Sequence, residues 1–112
     1  MKKDNRVYLE HILDAITQIK TYLKDLDYKA FNNSRLIQDA VIRELEIIGE
    51  ATKNLSENIR KKDPNIPWRD IAGMRDKLIH GYMGVNIDDV WKTANEEVID
   101  LEKQLKELIK NI

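Results

Sequence analysis

The chain has 112 residues, which suits a single domain spanning 1–112 with a core large enough to need neither disulfides nor a structural metal. It has no cysteine, so thiolate metal sites, iron–sulfur clusters and thiol catalysis are excluded. Charged residues make up 35% of the sequence yet nearly cancel to a formal net charge of −1, so overall charge gives no support to non-specific nucleic-acid binding.

Any such binding has to come from a local patch. The segment from Arg60 to Lys77 is the candidate, with Arg60, Lys61, Lys62, Arg69, Arg75 and Lys77 set against Asp63, Asp70 and Asp76. The segment from Asp88 onward leans acidic, a modest asymmetry that a solvated helix surface also explains. No apolar run approaches the roughly 18–20 residues of a membrane span. Met1-Lys2-Lys3-Asp4-Asn5 is not followed by the apolar region of a signal peptide. A soluble, cytoplasmic protein without membrane association is expected.

Apolar residues recur at helical spacing along nearly the whole chain. Tyr8/Leu9, Ile12/Leu13, Ile16, Ile19, Leu23 and Leu26 predict a first helix over about Asn5 to Leu26, with Asn5 as its N-cap. Asp27 to Asn33 reads as a connector, after which Asn33 or Ser34 can cap a second helix. Its stripe is Ile37, Val41, Leu45, Ile48, Ala51/Thr52, Leu55 and Ile59, and Pro64 and Pro67 place its end near Lys61. Pro67 suits the start of a short third helix, about Trp68 to Ile79, that buries Trp68, Ile71, Ala72, Leu78 and Ile79. Gly81 and Gly84 then interrupt the helical pattern. Asn86, with Asp89 three residues on, starts a fourth helix with the stripe Ile87, Val90/Trp91, Ala94, Val98, Leu101, Leu105 and Leu108/Ile109. Connectors are short and no repeat is present, so the predicted fold is all-α, a bundle of four to five helices in up-and-down order.

His11 and His80 are the only histidines, and no His-Glu-x-x-His spacing exists, so neither a metal site nor any other cofactor is expected. His11 falls between the apolar ridges of the first helix and reads as a surface or boundary residue. The stretch Arg75-Asp76-Lys77-Leu78-Ile79-His80-Gly81-Tyr82 is different, because it gathers a guanidinium, a carboxylate, an imidazole and a phenol at the end of a short helix. Asp76 and His80 stand four apart and share a face. The carboxylate can therefore fix one ring nitrogen and leave the other for proton transfer. Arg75 and His80 are five apart and diverge by ~140° on an ideal helix, which fits a site completed across a dimer interface.

RNA cleavage suits these groups. A base takes the proton of the ribose 2′-hydroxyl as it attacks phosphorus, an acid protonates the leaving 5′-oxygen, and a guanidinium stabilises the charge gained by the phosphorane. Two-fold symmetry would supply two histidines and two arginines without metal. The spacing alone is equally compatible with a surface ion pair and a helix-stop signal.

The wider strings carry more. Ala40-Val41-Ile42-Arg43-Glu44-Leu45-Glu46-Ile47-Ile48-Gly49-Glu50-Ala51, followed by Ile66-Pro67-Trp68-Arg69-Asp70-Ile71-Ala72-Gly73-Met74 and the motif itself, closely resembles the HepT-like (DUF86) branch of the HEPN superfamily. In such nucleases an arginine, an adjacent polar residue and a histidine after a gap of four to six form the motif, and Arg75, Asp76 and His80 fill those places. The branch adds a tyrosine two residues after the histidine, matched by Tyr82. The resemblance implies a metal-independent RNase toxin with RNA as substrate. It also implies a homodimer, or a higher oligomer, formed through helices near the motif. A neighbouring MntA-like minimal nucleotidyltransferase antitoxin is implied too, silencing the toxin by transferring AMP onto Tyr82. Arg43, Glu46 and Glu50 receive no catalytic role. The alternative reading is a non-catalytic helical partner or nucleotide-binding subunit of the transferase, in which Arg75 holds a phosphate and His80 is structural.

Overall fold

In the computed structural model, residues 4–80 and 85–112 are described, with the backbone alone for Arg75, Ile79 and His80. All regular structure among the described residues is helical: α1 (Asn5–Leu23), α2 (Tyr28–Asn32), α3 (Arg35–Lys53), α4 (Glu57–Lys62), α5 (Trp68–His80), α6 (Ile87–Lys92), a π-helical turn (Thr93–Glu97) and α7 (Val98–Lys110). Four long pillars form the bundle: α1, α3, α5 and the continuous run from α6 to α7. None of the described helices is long and apolar enough to cross a membrane.

Helix α3 is the central pillar, packed against α1 on one side and α5 on the other. Its buried line, Val41, Leu45, Ile48 and Thr52, meets Leu9, Ile12, Ile16 and Ile19 of α1 and Val98, Leu101, Leu105 and Leu108 of α7 in one core. The predicted stripes of α1, α3 and α7 are thus the buried faces. At the opposite edge of that core, Glu102 of α7 is buried and held by Lys20 of α1 at 3.1 Å.

Several local expectations need correction. Asp4, not Asn5, caps α1, its carboxylate accepting from the Arg6 N–H at 2.9 Å. Asn5 instead reaches across the bundle to Ser56, donating to its hydroxyl at 2.9 Å and accepting its backbone N–H at 3.0 Å. Helix α1 stops at Leu23 rather than Leu26, because Asp25 adopts a left-handed φ of 62° that no α-helix continues through. The expected connector contains α2, capped by Asp27 and closed over the core by Phe31, which is fully buried. Phe31 stacks obliquely on Trp91, and the Tyr28 hydroxyl donates to Asp88. That donation, followed by desolvation, raises the Tyr28 phenol above its ordinary value.

The second predicted helix is two. Ser34 caps α3 as expected, but Ser56 starts α4 by accepting the Ile59 N–H. The stripe runs on because Leu55 and Ile59 are both buried across the break. Side chains then fasten the corner. Arg60 donates to the Thr52 carbonyl near the end of α3 at 2.7 Å, and the Trp68 indole N–H is shared by the carbonyls of Arg60 and Asp63 at 3.0 Å each. Carbonyls left open by the helix ends are thereby satisfied, and the start of α5 is fixed against α4.

Asn86 caps α6 as predicted, accepting the N–H groups of Asp88 and Asp89. The π-helical turn was not anticipated. Val90, Ala94 and Val98 are buried at two successive steps of four, which would drift ~80° around a regular helix at ~100° per residue. The wider turn, in which the Val98 N–H returns to the Thr93 carbonyl, absorbs that drift. Phe31 is the most enclosed piece of α2, so Phe31→Ala should destabilise the fold by about 3–5 kcal/mol in urea unfolding, with the native helical spectrum retained below the transition.

Candidate active site

Helix α5 brings the motif to its C-terminal half. The sequence predicted Trp68, Ile71, Ala72, Leu78 and Ile79 as its inward residues. Trp68 is buried, Ile71, Ala72 and Leu78 are only half-buried, and the Ile79 side chain lies outside the described residues. Among its described side chains, α5 is seated most firmly at Trp68 in its first turn. Arg35, Gln38, Ile42 and Glu46 of α3 line an open groove of about 660 Å³ together with Leu78, Val85 and Ile87.

Asp76 lies within α5 and is partly exposed. Both of its carboxylate oxygens accept from the Lys53 ammonium, at 2.8 and 2.7 Å. This places a lysine from the last turn of α3 directly beside the motif, a residue that the sequence reading did not single out. The expected pairing of Asp76 with His80 involves a side chain outside the described residues, as does the divergence between Arg75 and His80. Tyr82, Gly81 and Gly84 also lie outside them. The backbone does place Arg75, Asp76 and His80 on one helix, with His80 its last residue.

The charged residues of α3 form a second polar strip. Arg43 pairs with Glu46 at 3.7 Å, leaving the arginine mostly exposed and the glutamate mostly covered. His11 of α1 is exposed, in accord with the reading of the sequence, and meets Tyr8 edge to face, ring centres 6.1 Å apart.

An all-helical bundle with an arginine–polar–x3–histidine sequence on the last turns of a short helix defines the HEPN type of domain. The chain belongs to a particular branch of it: the family described as "Ribonuclease HepT-like" matches residues 12–108. Among curated relatives, "Putative RNase MJ0125" of Methanocaldococcus jannaschii is 45% identical over 99% of this chain and 96% of its own. "Putative RNase TTE0752" of Caldanaerobacter subterraneus subsp. tengcongensis is 46% identical over 96% of each chain. "Probable ribonuclease HepT" of Thermococcus cleftensis is 43% identical over 98% of this chain and all of its own. No solved structure matches significantly.

Because both Lys53 and Asp76 keep water contact, their ion pair contributes at most about 1 kcal/mol to stability. Lys53→Met should therefore shift the unfolding free energy by no more than that, measured by urea titration. A loss of several kcal/mol would show that the pair holds α5 on α3.

Proposed function

We propose that the protein is a metal-independent endoribonuclease, the toxin of a toxin–antitoxin pair, with Arg75, Asp76 and His80 as its catalytic residues. Membership of a ribonuclease family over residues 12–108, with the motif complete in the sequence, is the observation that carries this reading. The mechanism follows from the groups. His80 takes the proton of a ribose 2′-hydroxyl as that oxygen bonds to phosphorus, the bond to the 5′-oxygen breaks, and a protonated imidazole returns a proton to the leaving oxygen. A neutral and a protonated histidine are needed together, which the His80 residues of two protomers supply. Arg75 places its planar fork on the phosphate oxygens as negative charge grows there. Asp76, itself oriented by Lys53, sets the tautomer of the imidazole.

The partner in this reading is a minimal nucleotidyltransferase antitoxin. The Tyr82 phenol attacks the α-phosphorus of ATP, pyrophosphate leaves, and the tyrosine carries AMP. A bulky anion two residues from His80 then opposes RNA phosphate by sterics and by charge.

His80→Ala and Arg75→Ala should each lower cleavage of defined RNAs by at least 100-fold in the presence of EDTA, with unchanged helical content. Wild-type cleavage by either variant refutes the assignment. Binding of RNA without any cleavage by the wild type supports instead a partner subunit of the transferase. Intact mass after incubation with ATP and the transferase should rise by one or more AMP groups, and Tyr82→Phe should lose that gain.

A further inference from the structure

A groove of about 250 Å³ between α1 and α3 is lined by residues that the proposed chemistry does not name. Tyr8 and His11 of α1 form one wall, Glu46 and Glu50 of α3 the other, and Ile47 and Ala51 the floor. Its size falls below the ~300–1,000 Å³ of sites for drug-sized ligands, so it suits one flat ring system rather than a larger molecule. The Tyr8 and His11 rings meet at 90°, so they make an L-shaped aromatic corner. A planar group stacked on one ring meets the edge of the other. The carboxylates of the opposite wall offer acceptor oxygens, and the exposed Arg43 guanidinium, paired with Glu46, stands at the rim.

We infer that this groove binds a nucleobase of single-stranded RNA that carries an exocyclic amino group, beside the phosphate to be cut. Unstacked bases are recognised in this manner, one face on an aromatic ring and the edge on polar side chains. Adenine, cytosine and guanine each present an exocyclic amino donor to a carboxylate, whereas uracil offers only its ring N3–H. The inference rests on the ribonuclease reading for its choice of ligand, since an aromatic corner with carboxylates can also receive an arginine side chain of a protein. Proximity favours RNA. Glu50 is one turn before Lys53 and Asn54 directly follows it, so the groove shares the last turns of α3 with the ion pair that holds Asp76. From Glu46 to Lys53 is only about 10 Å along the helix axis.

Binding of short 2′-O-methyl oligonucleotides tests this apart from catalysis, because they lack the attacking hydroxyl. Fluorescence anisotropy with the full chain should show adenine-containing oligomers binding roughly tenfold more tightly than uracil or abasic ones of equal length. Tyr8→Ala and His11→Ala should each abolish that base dependence, and Tyr8→Phe should retain it. Circular dichroism melting checks that each variant is folded, and exposed His11 provides a variant that leaves the core untouched. Equal affinity for adenine and abasic oligomers in the wild type overturns the inference, as does base dependence that survives both alanine variants. Tight binding of an arginine-rich peptide, lost in Tyr8→Ala, with no base dependence, reassigns the groove to a protein ligand. If base dependence is found but the wild type cuts no RNA, the catalytic reading fails and the base site stands.

Discussion

The packing of α3 between α1 and α5 is the constraint on which the rest of the molecule depends. A single line of apolar side chains, Val41, Leu45 and Ile48, with the Thr52 hydroxyl turned back onto the Ile48 carbonyl, lets this helix be buried without a stray polar group. Everything at the candidate site is referred to it. Lys53 comes from its last turn, and both α5 and the aromatic corner of α1 lie against it. The corner after α3 is equally determined. Arg60 closes the end of α3, Trp68 closes the end of α4, and Asn5 binds the cap of α4 to the start of α1. The first turn of α5 is therefore tied to α1, α3 and α4, even though Ile71, Ala72 and Leu78 beyond it are only half-covered.

Charge is organised locally rather than globally. A chain with a net charge of −1 cannot gather RNA by long-range attraction, so discrimination falls to short-range groups. The Lys53–Asp76 pair keeps a cation beside the motif. In the groove between α1 and α3, the exposed Arg43 is paired with Glu46. The basic segment after Arg60 contributes less than its composition suggests. Arg60 is spent on the Thr52 carbonyl, whereas Lys61, Lys62 and Arg69 remain exposed.

Much of this was legible in the sequence, for identifiable reasons. The stripes of α1, α3 and α7 obey one period over many turns, and Ser34 and Asn86 are strong caps placed directly before α3 and α6. What escaped was short or non-local. A five-residue helix has no period to read, so Phe31 passed as part of a connector. The break between α3 and α4 was invisible because Leu55 and Ile59 keep the apolar rhythm across it. Asn5 has the chemistry of a cap, but its partner Ser56 lies 51 positions away. The same limit applies to the site. The spacing of Arg75, Asp76 and His80 can be read directly, but Lys53 is 23 residues from Asp76 and only packing brings the two together.

In the proposed mechanism, an imidazole-assisted attack by the ribose hydroxyl, rather than by water, breaks the RNA chain. The chemistry of the product ends tests it most directly. RNA cut by the full chain in EDTA should carry 2′,3′-cyclic phosphate and 5′-hydroxyl ends, read by mass spectrometry of the fragments. Fragments ending in a 3′-hydroxyl and a 5′-phosphate would contradict it, because those ends require an external nucleophile and leave the 2′-hydroxyl without a part.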